Sequence, residues 1–296
     1  MNILVLSRNT MLYSTQAIIE AGRKRNHQVK VIDHMLCDIH TGSGASGVYF
    51  MNESFNPVHA LIPRIGYTAT TQGAAVIRQF ENRGVFTTLG SDPLLKVRDK
   101  FTCLQLLEGQ GIQIPKTIFI AHSETIPAML RHIRPYPVII KLVSGTQGMG
   151  VMLAETEQNA ISILEAFHAT GEKVMVQQFI GEAKGQDIRA FVINGKVVAA
   201  MKRIARPGEF RSNLHRGGTS VSIRLTSAEE ETAVRSASSL GLSIAGIDML
   251  QSNDGPLVLE VNASPGLEGI EATTAVNIAR EIIVYIEQNI TNTSSI

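Results

Sequence analysis

The sequence predicts a mixed α/β protein, with a parallel α/β layer first and two α+β units behind it. Short apolar runs at 3–6, 29–32 and 60–62 alternate with helix-like stretches at 12–24 and 73–83, the alternation of a parallel sheet. Beyond residue 117 strands dominate and hairpin signals appear, as at Asn194-Gly195, a dipeptide suited to the positive φ angles of a two-residue turn. A length of 296 residues also exceeds what one core usually serves. The expected units are 1–90, 91–180 and 181–296.

In chain order, Ser91-Asp92-Pro93 reads as a helix cap with proline in the first turn, and the helical pattern runs, allowing a break, to Glu108. The middle unit then shows strand 117–120, helix 124–134, strand 138–143, a glycine loop, strand 151–154, helix 157–169 and strand 174–179. The last unit opens with hairpin 188–193/196–201, followed by a basic loop and strand 220–224. Ser227 and Glu230 have capping-box spacing for a helix reaching Leu240. A second hairpin, 245–251/257–261, a helix near 275–288 and a polar tail, 291–295, expected to be disordered, complete the chain.

Lys and Arg number 27 against 26 Asp and Glu, so no global field gathers nucleic acid or a membrane surface. No apolar run is long enough to span a bilayer, and residues 1–6 read as a first strand rather than a signal peptide. Cys37 and Cys103 lack CxxC spacing, which points away from disulfides or zinc and toward a reducing cytoplasm.

Asp248 and Glu260 interrupt strands that are otherwise apolar, and a charge so placed needs a partner. A turn centred on Asp254 would set 248 opposite 260 and 246 opposite 262, with Glu260 and Asn262 on one face. Opposed carboxylates repel unless a cation lies between them, and hard oxygen ligands favour magnesium or manganese, which serve phosphates. The other reading is a solvated hairpin face. The loop Gly145-Thr146-Gln147-Gly148-Met149-Gly150 lacks the lysine end of a Walker loop and the order of a dinucleotide fingerprint, and a strand follows it, so it reads as a strand-loop-strand flap. Lys141, just ahead in an apolar strand, suits a phosphate, or else snorkels from a strand end. Lys202, Arg203, Arg206, Arg211, His215 and Arg216 face only Glu209 between Met201 and Thr219, and a small carboxylate or phosphate fits them better than nucleic acid, since Phe210 is the one aromatic there.

Taken in order, Lys100, Lys141, the glycine flap, Val176-Gln177-Gln178-Phe179, Asp187, Arg211-Ser212-Asn213, Asp248 and Glu260-Val261-Asn262 resemble the ATP-grasp ligases over nearly the whole chain. Within them, Pro63-Arg64-Ile65-Gly66, Val97-Arg98-Asp99-Lys100, Gly145-Thr146-Gln147-Gly148, Phe210 to Gly218 and Glu260 to Gly269 resemble the RimK family, which adds glutamate to the C-terminus of the sixth small-subunit ribosomal protein. The resemblance implies an ATP-grasp fold behind a pre-ATP-grasp α/β domain. It implies Lys100 and Lys141 on phosphates, Gln178 and Phe179 at the adenine hinge, Asp187 on the ribose, and Arg211, Ser212 and Asn213 lining the nucleotide site. Asp248, Glu260 and Asn262 would hold two Mg²⁺ or Mn²⁺ ions. Gln178 departs from a common glutamate at the hinge. Gly246 stands where some relatives carry a phosphate-steadying arginine, which leaves Arg203 and Arg211 as catalytic candidates. Arg64, His215, Arg216 and Ser264 are the substrate-binding candidates.

The expected reaction passes the γ-phosphoryl of ATP to a carboxylate, and an amine then displaces phosphate from the acyl phosphate. The expected partners are glutamate and an acceptor protein's C-terminus, with no nucleic acid or membrane partner and with homo-oligomer formation left open. The alternatives are a small-molecule or carrier-protein amino-acid ligase of the same superfamily, and a non-catalytic nucleotide-binding regulator.

Overall fold

The first strand, β1 (Asn2–Leu6), is apolar on both faces, and such a strand needs cover on each side. The computed structural model describes residues 1–42, 46–143, 150–212 and 217–293, and of 291–293 the backbone only. Helix α1 (Tyr13–Lys24) returns the chain to β2 (Gln28–Ile32), and a meander follows of β3 (Cys37–His40), β4 (Gly47–Phe50) and β5 (Glu53–Ser54). β6 (Ala60–Pro63), α2 (Thr70–Glu81) and β7 (Phe86–Thr87) complete a parallel sheet ordered β2-β1-β6-β7.

Two helices then lead away, α3 (Ser91–Arg98) and α4 (Lys100–Gly109), broken at Asp99, whose side chain caps α4 by accepting the Thr102 N–H (2.8 Å). Ser91 is not the expected cap. It is the first helical residue, and its N–H and hydroxyl both donate to the Glu81 carboxylate, 3.0 and 2.6 Å away. The middle unit holds β8 (Thr117–Phe119), α5 (Ile126–Leu130), β9 (Val138–Leu142), β10 (Val151–Ala154), α6 (Glu157–Ala169) and β11 (Val174–Gln178), in an antiparallel sheet ordered β10-β9-β11-β8. The helix expected over 124–134 is only α5. It tightens into i→i+3 bonds at His132 and Ile133, and Arg134 precedes Pro135, which disfavours helical backbone there.

The last sheet is antiparallel, ordered β14-β13-β12-β15-β16, from β12 (Gln186–Ile193), β13 (Lys196–Ile204), β14 (Thr219–Ser222), β15 (Ile244–Ser252) and β16 (Gly255–Asn262). Asn194 and Gly195 turn the first hairpin with φ of 49° and 70°. The capping box of α7 (Ser227–Ser239) lies one residue earlier than expected, because Thr226 has the extended backbone a cap requires and exchanges bonds with Glu229. After α8 (Glu268–Thr274), α9 (Ile278–Thr293) continues helical through 293, into the region expected as a disordered tail.

Period-two alternation divides this sheet's work. Ile188, Ala190, Val192, Ile247 and Met249 share a core with Ala233 and Ala237 of α7 and with Leu61 and Phe80 of the first domain. On the opposite face Phe191, Ile193, Ala199, Met201 and Ile244 join Ile282, Ile283 and Ile286 of α9 and Ile18 of α1. The same strands end, on that second face, in Asp187, Arg189, Arg203 and Asp248. The middle unit keeps a separate core, from Ile118 to Val176. Ile283 is fully buried where α9 meets α1, so Ile283→Ala is expected to cost about 2–5 kcal/mol in urea unfolding; a loss below about 1 kcal/mol would show that α9 does not seal the two units together.

Candidate active site

The charged end of that sheet face opens into a cavity of about 650 Å³. Ile139, Lys141, Met175 and Gln177 of the middle sheet wall its far side, and Lys100, Cys103, Leu104 and Leu107 of α4 line it as well. Gln178, Phe179, Asp187, Arg203, Arg211, Ser212, Asp248, Glu260 and Asn262 all line the same space, so most of the residues singled out in the sequence meet there. Among the described lining residues five cations (Arg98, Lys100, Lys141, Arg203, Arg211) face three carboxylates (Asp187, Asp248, Glu260), a balance suited to a polyanion.

The floor is a ladder of buried charges. Arg203 donates to both oxygens of Asp187 (2.7 and 2.5 Å) and lies 3.0 Å from Asp248, while Arg189 donates to both oxygens of Asp248 (2.7 and 2.6 Å). Burial opposes the charge on Arg203, but Asp248 and Asp187 together hold its pKa above the ordinary arginine value. Burial likewise opposes the Asp248 charge, and Arg189 and Arg203 outweigh it, so its pKa falls below the usual carboxylate value. The sequence reading missed Arg189. It stands two residues after Asp187 in an apolar strand, and the reasoning that singled out Asp248 applies to it equally.

Asp248 pairs with Glu260 and Gly246 with Asn262, the register expected from the sequence. The route to it differs. Ser252 pairs with Gly255, so Asn253-Asp254 forms a two-residue turn, and a one-residue irregularity at Leu259 restores the offset. A Cβ on Gly246 would come 2.8 Å from Cβ of Pro265, so the position some relatives fill with arginine has no room for a side chain here.

Among the described residues no group of three His, Cys, Asp or Glu side chains stands ready for a metal; the donor set is two carboxylates and an amide. Three donors reach Asp248, two of them at Oδ2, which leaves acceptor capacity on Oδ1. Among the described residues the buried Asn262 Nδ2 has no hydrogen-bond partner, so the fold does not use this nitrogen. That set suits a hard, partly hydrated cation.

Lys141 donates to Gln177 Oε1 (2.5 Å), Gln177 to Thr117 Oγ1 (2.9 Å), and Thr117 to the Pro115 carbonyl (2.7 Å). Gln177, only 2% exposed, therefore aims the ammonium, a role not read from the sequence. Burial pushes Lys141 down to about 8, and Lys100 adds to the depression while Glu260, Asp187 and Asp248 oppose it. The Gln178 N–H is taken by the Lys116 carbonyl (2.8 Å).

Arg211 is held by Glu209 through two bonds (2.9 and 2.7 Å) and donates to the Val151 carbonyl (3.3 Å), tying the basic loop to β10. The Arg211 guanidinium, with burial opposing, holds Glu209 down at about 2. Arg64 and Ser264 do not line the cavity. Arg64 donates to the Pro265 carbonyl (2.7 Å) and Ser264 to the Pro63 carbonyl (3.5 Å), where the first domain meets the loop after β16. Asn213, His215, Arg216 and the loop from Gly145 to Met149 lie outside the described residues.

A family model described as a RimK-like ATP-grasp domain matches residues 97–286, and one described as a RimK pre-ATP-grasp domain matches residues 1–94. The chain belongs to the RimK-like ATP-grasp family. It is 48% identical over 289 residues to a protein of Stutzerimonas stutzeri named probable alpha-L-glutamate ligase, covering 98% of this chain and 96% of that one. A protein of the same name from Picosynechococcus is 49% identical with the same coverage. Among solved structures, the ATP-grasp ligase PsnB with its minimal precursor superposes with a TM-score of 0.77 at 20% identity, covering 97% of this chain and 98% of that one. A RimK domain ATP-grasp protein of Sphaerobacter thermophilus does so with a TM-score of 0.71 at 20% identity, covering 97% and 99%. The chain is thus an ATP-dependent ligase of the ATP-grasp fold.

Replacing Arg203 with Met strands Asp187 and weakens the hold on Asp248, and is expected to cost about 3–5 kcal/mol in urea unfolding; a change under 1 kcal/mol would remove the ladder from the stability argument. Lys141 sits near 8 in the free protein, charged below that pH and neutral above it. A bound triphosphate favours the ammonium and raises its pKa. Nucleotide affinity should therefore fall as pH rises through about 8, with proton uptake on binding in calorimetry across buffers of different ionisation enthalpy. Lys141→Met should abolish the uptake.

Proposed function

We propose that this chain joins glutamate to the C-terminal carboxylate of an acceptor protein at the expense of ATP. The acceptor that fits the RimK resemblance is the sixth small-subunit ribosomal protein. One observation carries the reading: Lys100, Lys141, Arg211, Asp248, Glu260 and Asn262 converge on one cavity in a chain nearly half identical to proteins named probable alpha-L-glutamate ligase.

In this reading the adenine lies against Gln178 and Phe179, Asp187 faces the ribose, and Lys100, Lys141, Arg211, Ser212 and Asn213 line the nucleotide and its phosphates. Asp248, Glu260 and Asn262 would hold two Mg²⁺ or Mn²⁺ ions, whose charge would offset that of the phosphates. The acceptor carboxylate attacks the γ-phosphorus and ADP leaves. The amine of glutamate then attacks the acyl carbon, phosphate departs, and the ammonium protons pass to phosphate and solvent. Lys141 and Arg211 stabilise the charge spreading on the transferred group, and Arg203 acts by holding Asp248 in place. Arg64, Ser264, His215 and Arg216 belong to the substrate side.

The two unpaired, buried cysteines support a reducing compartment such as the cytoplasm, and no described helix is long and apolar enough to cross a membrane.

Glu260→Gln is expected to abolish ADP formation while leaving the melting temperature near that of the parent; near-normal turnover would remove Glu260 from the metal set. Incubation with ATP, Mg²⁺, glutamate and a ribosomal extract should add glutamyl increments to one small protein by mass spectrometry. ADP formed with free amino acids and no protein gaining mass would place the chain among small-molecule ligases instead.

A further inference from the structure

The ends of β1, β6 and α3 carry three guanidiniums, Arg8, Arg64 and Arg98, for which the described residues supply no ion-pair partner. The Arg64 N–H donates to the Leu6 carbonyl (2.8 Å), which sets the end of β6 beside the end of β1, where Arg8 follows. Arg98, at the end of α3, donates to the carbonyl of Ile65, the residue next to Arg64. Among the described residues their side-chain partners are neutral: the Thr68 hydroxyl for Arg8 (3.2 Å), the Pro265 carbonyl for Arg64 (2.7 Å) and the Ile65 carbonyl for Arg98. Among the described residues the buried Arg98 Nε has no partner.

Among the described residues none of the three joins an ion pair, whereas Arg25, Arg189, Arg203 and Arg211 each hold a carboxylate. Burial, with the Arg98 charge adding to it, pushes Arg64 down to about 10, and burial lowers Arg98 too although Glu260 pulls the other way. The place is also where open α/β sheets take ligands, outside the carboxyl ends of parallel strands. Tyr67, Thr68 and Arg98 line the cavity that holds Lys100 and Glu260, so an anion here adjoins the reacting atoms.

We propose that Arg64 and Arg98, with the exposed Arg8 at the mouth, bind the side-chain carboxylate of the incoming amino acid, which stays unreacted, and thereby select a dicarboxylic amino acid. This rests on the ligase reading. The carboxylate that becomes acyl phosphate must lie at the γ-phosphate, whereas both carboxylates of an entering glutamate survive amide formation and need holding. Guanidinium forks suit them.

The test is calorimetric titration of the parent, Arg64→Lys, Arg98→Lys and Arg8→Gln with glutamate, glutamine and glutarate, alone and with a non-hydrolysable ATP analogue and Mg²⁺. The parent should prefer glutamate to glutamine. The two lysine variants should lose roughly 10-fold or more in glutamate affinity, the worth of a charged hydrogen bond, with glutamine and analogue binding unchanged. Arg8→Gln, at an exposed residue whose loss disturbs no packing, should shift in the same direction by less. Unchanged preference in all three variants overturns the assignment. So does a loss confined to the KM for an acceptor protein, which would make the acceptor's tail the anion. Glutarate and glutamate binding to the arginines with no analogue binding would sustain the subsite and sink the ligase reading.

Discussion

The structure depends on one buried ladder of charge, Asp187–Arg203–Asp248–Arg189, laid across neighbouring strands of the last sheet. Asp187, Arg203 and Asp248 are each nearly inaccessible, and a charge so far from water is tolerable only with its opposite in hydrogen-bond reach. Alternation fixes where the ladder can lie. The same strand face that is apolar under α9 turns ionic a few residues on, and no side chain can change sides without a register slip that would carry the whole strand with it. Asp248 is thus presented to the cavity in one orientation by two guanidiniums.

What the sequence made legible followed the cost of burying charge. Asp248, Glu260 and Lys141 stood out because each interrupts an apolar strand, and all three line the cavity. The register of the last hairpin came out as expected although the turn did not, because a shorter turn and a bulge at Leu259 offset each other. Strands of two to four residues in the meander from Cys37 to Ser54 were invisible, being too short for alternation to register. Arg189 carried the same signal, a charge in an apolar strand, but the partners of Arg189 and Gln177 did not show. Their roles depend on what lies across the sheet, Asp248 in one case and Lys141 in the other, and cross-strand neighbours are set by tertiary pairing.

The three cores explain how the cavity is framed. The first domain and the last sheet share apolar clusters on both faces of that sheet, so they form one body. The middle unit, with its own core, meets them across the cavity through polar and cavity-lining side chains such as Lys141, Gln177 and Arg211. The nucleotide-sized space is therefore the seam between two separately stabilised bodies.

Gly246 and Pro265 lie in contact across the seam between β15 and the loop that follows β16. Position 246 cannot take a side chain while the proline ring stays where it is. An arginine at 246 needs the Pro265 ring replaced or displaced, and because Arg64 grips the backbone carbonyl of 265, a shift of that loop made for phosphate handling would also move the approach for the amino acid.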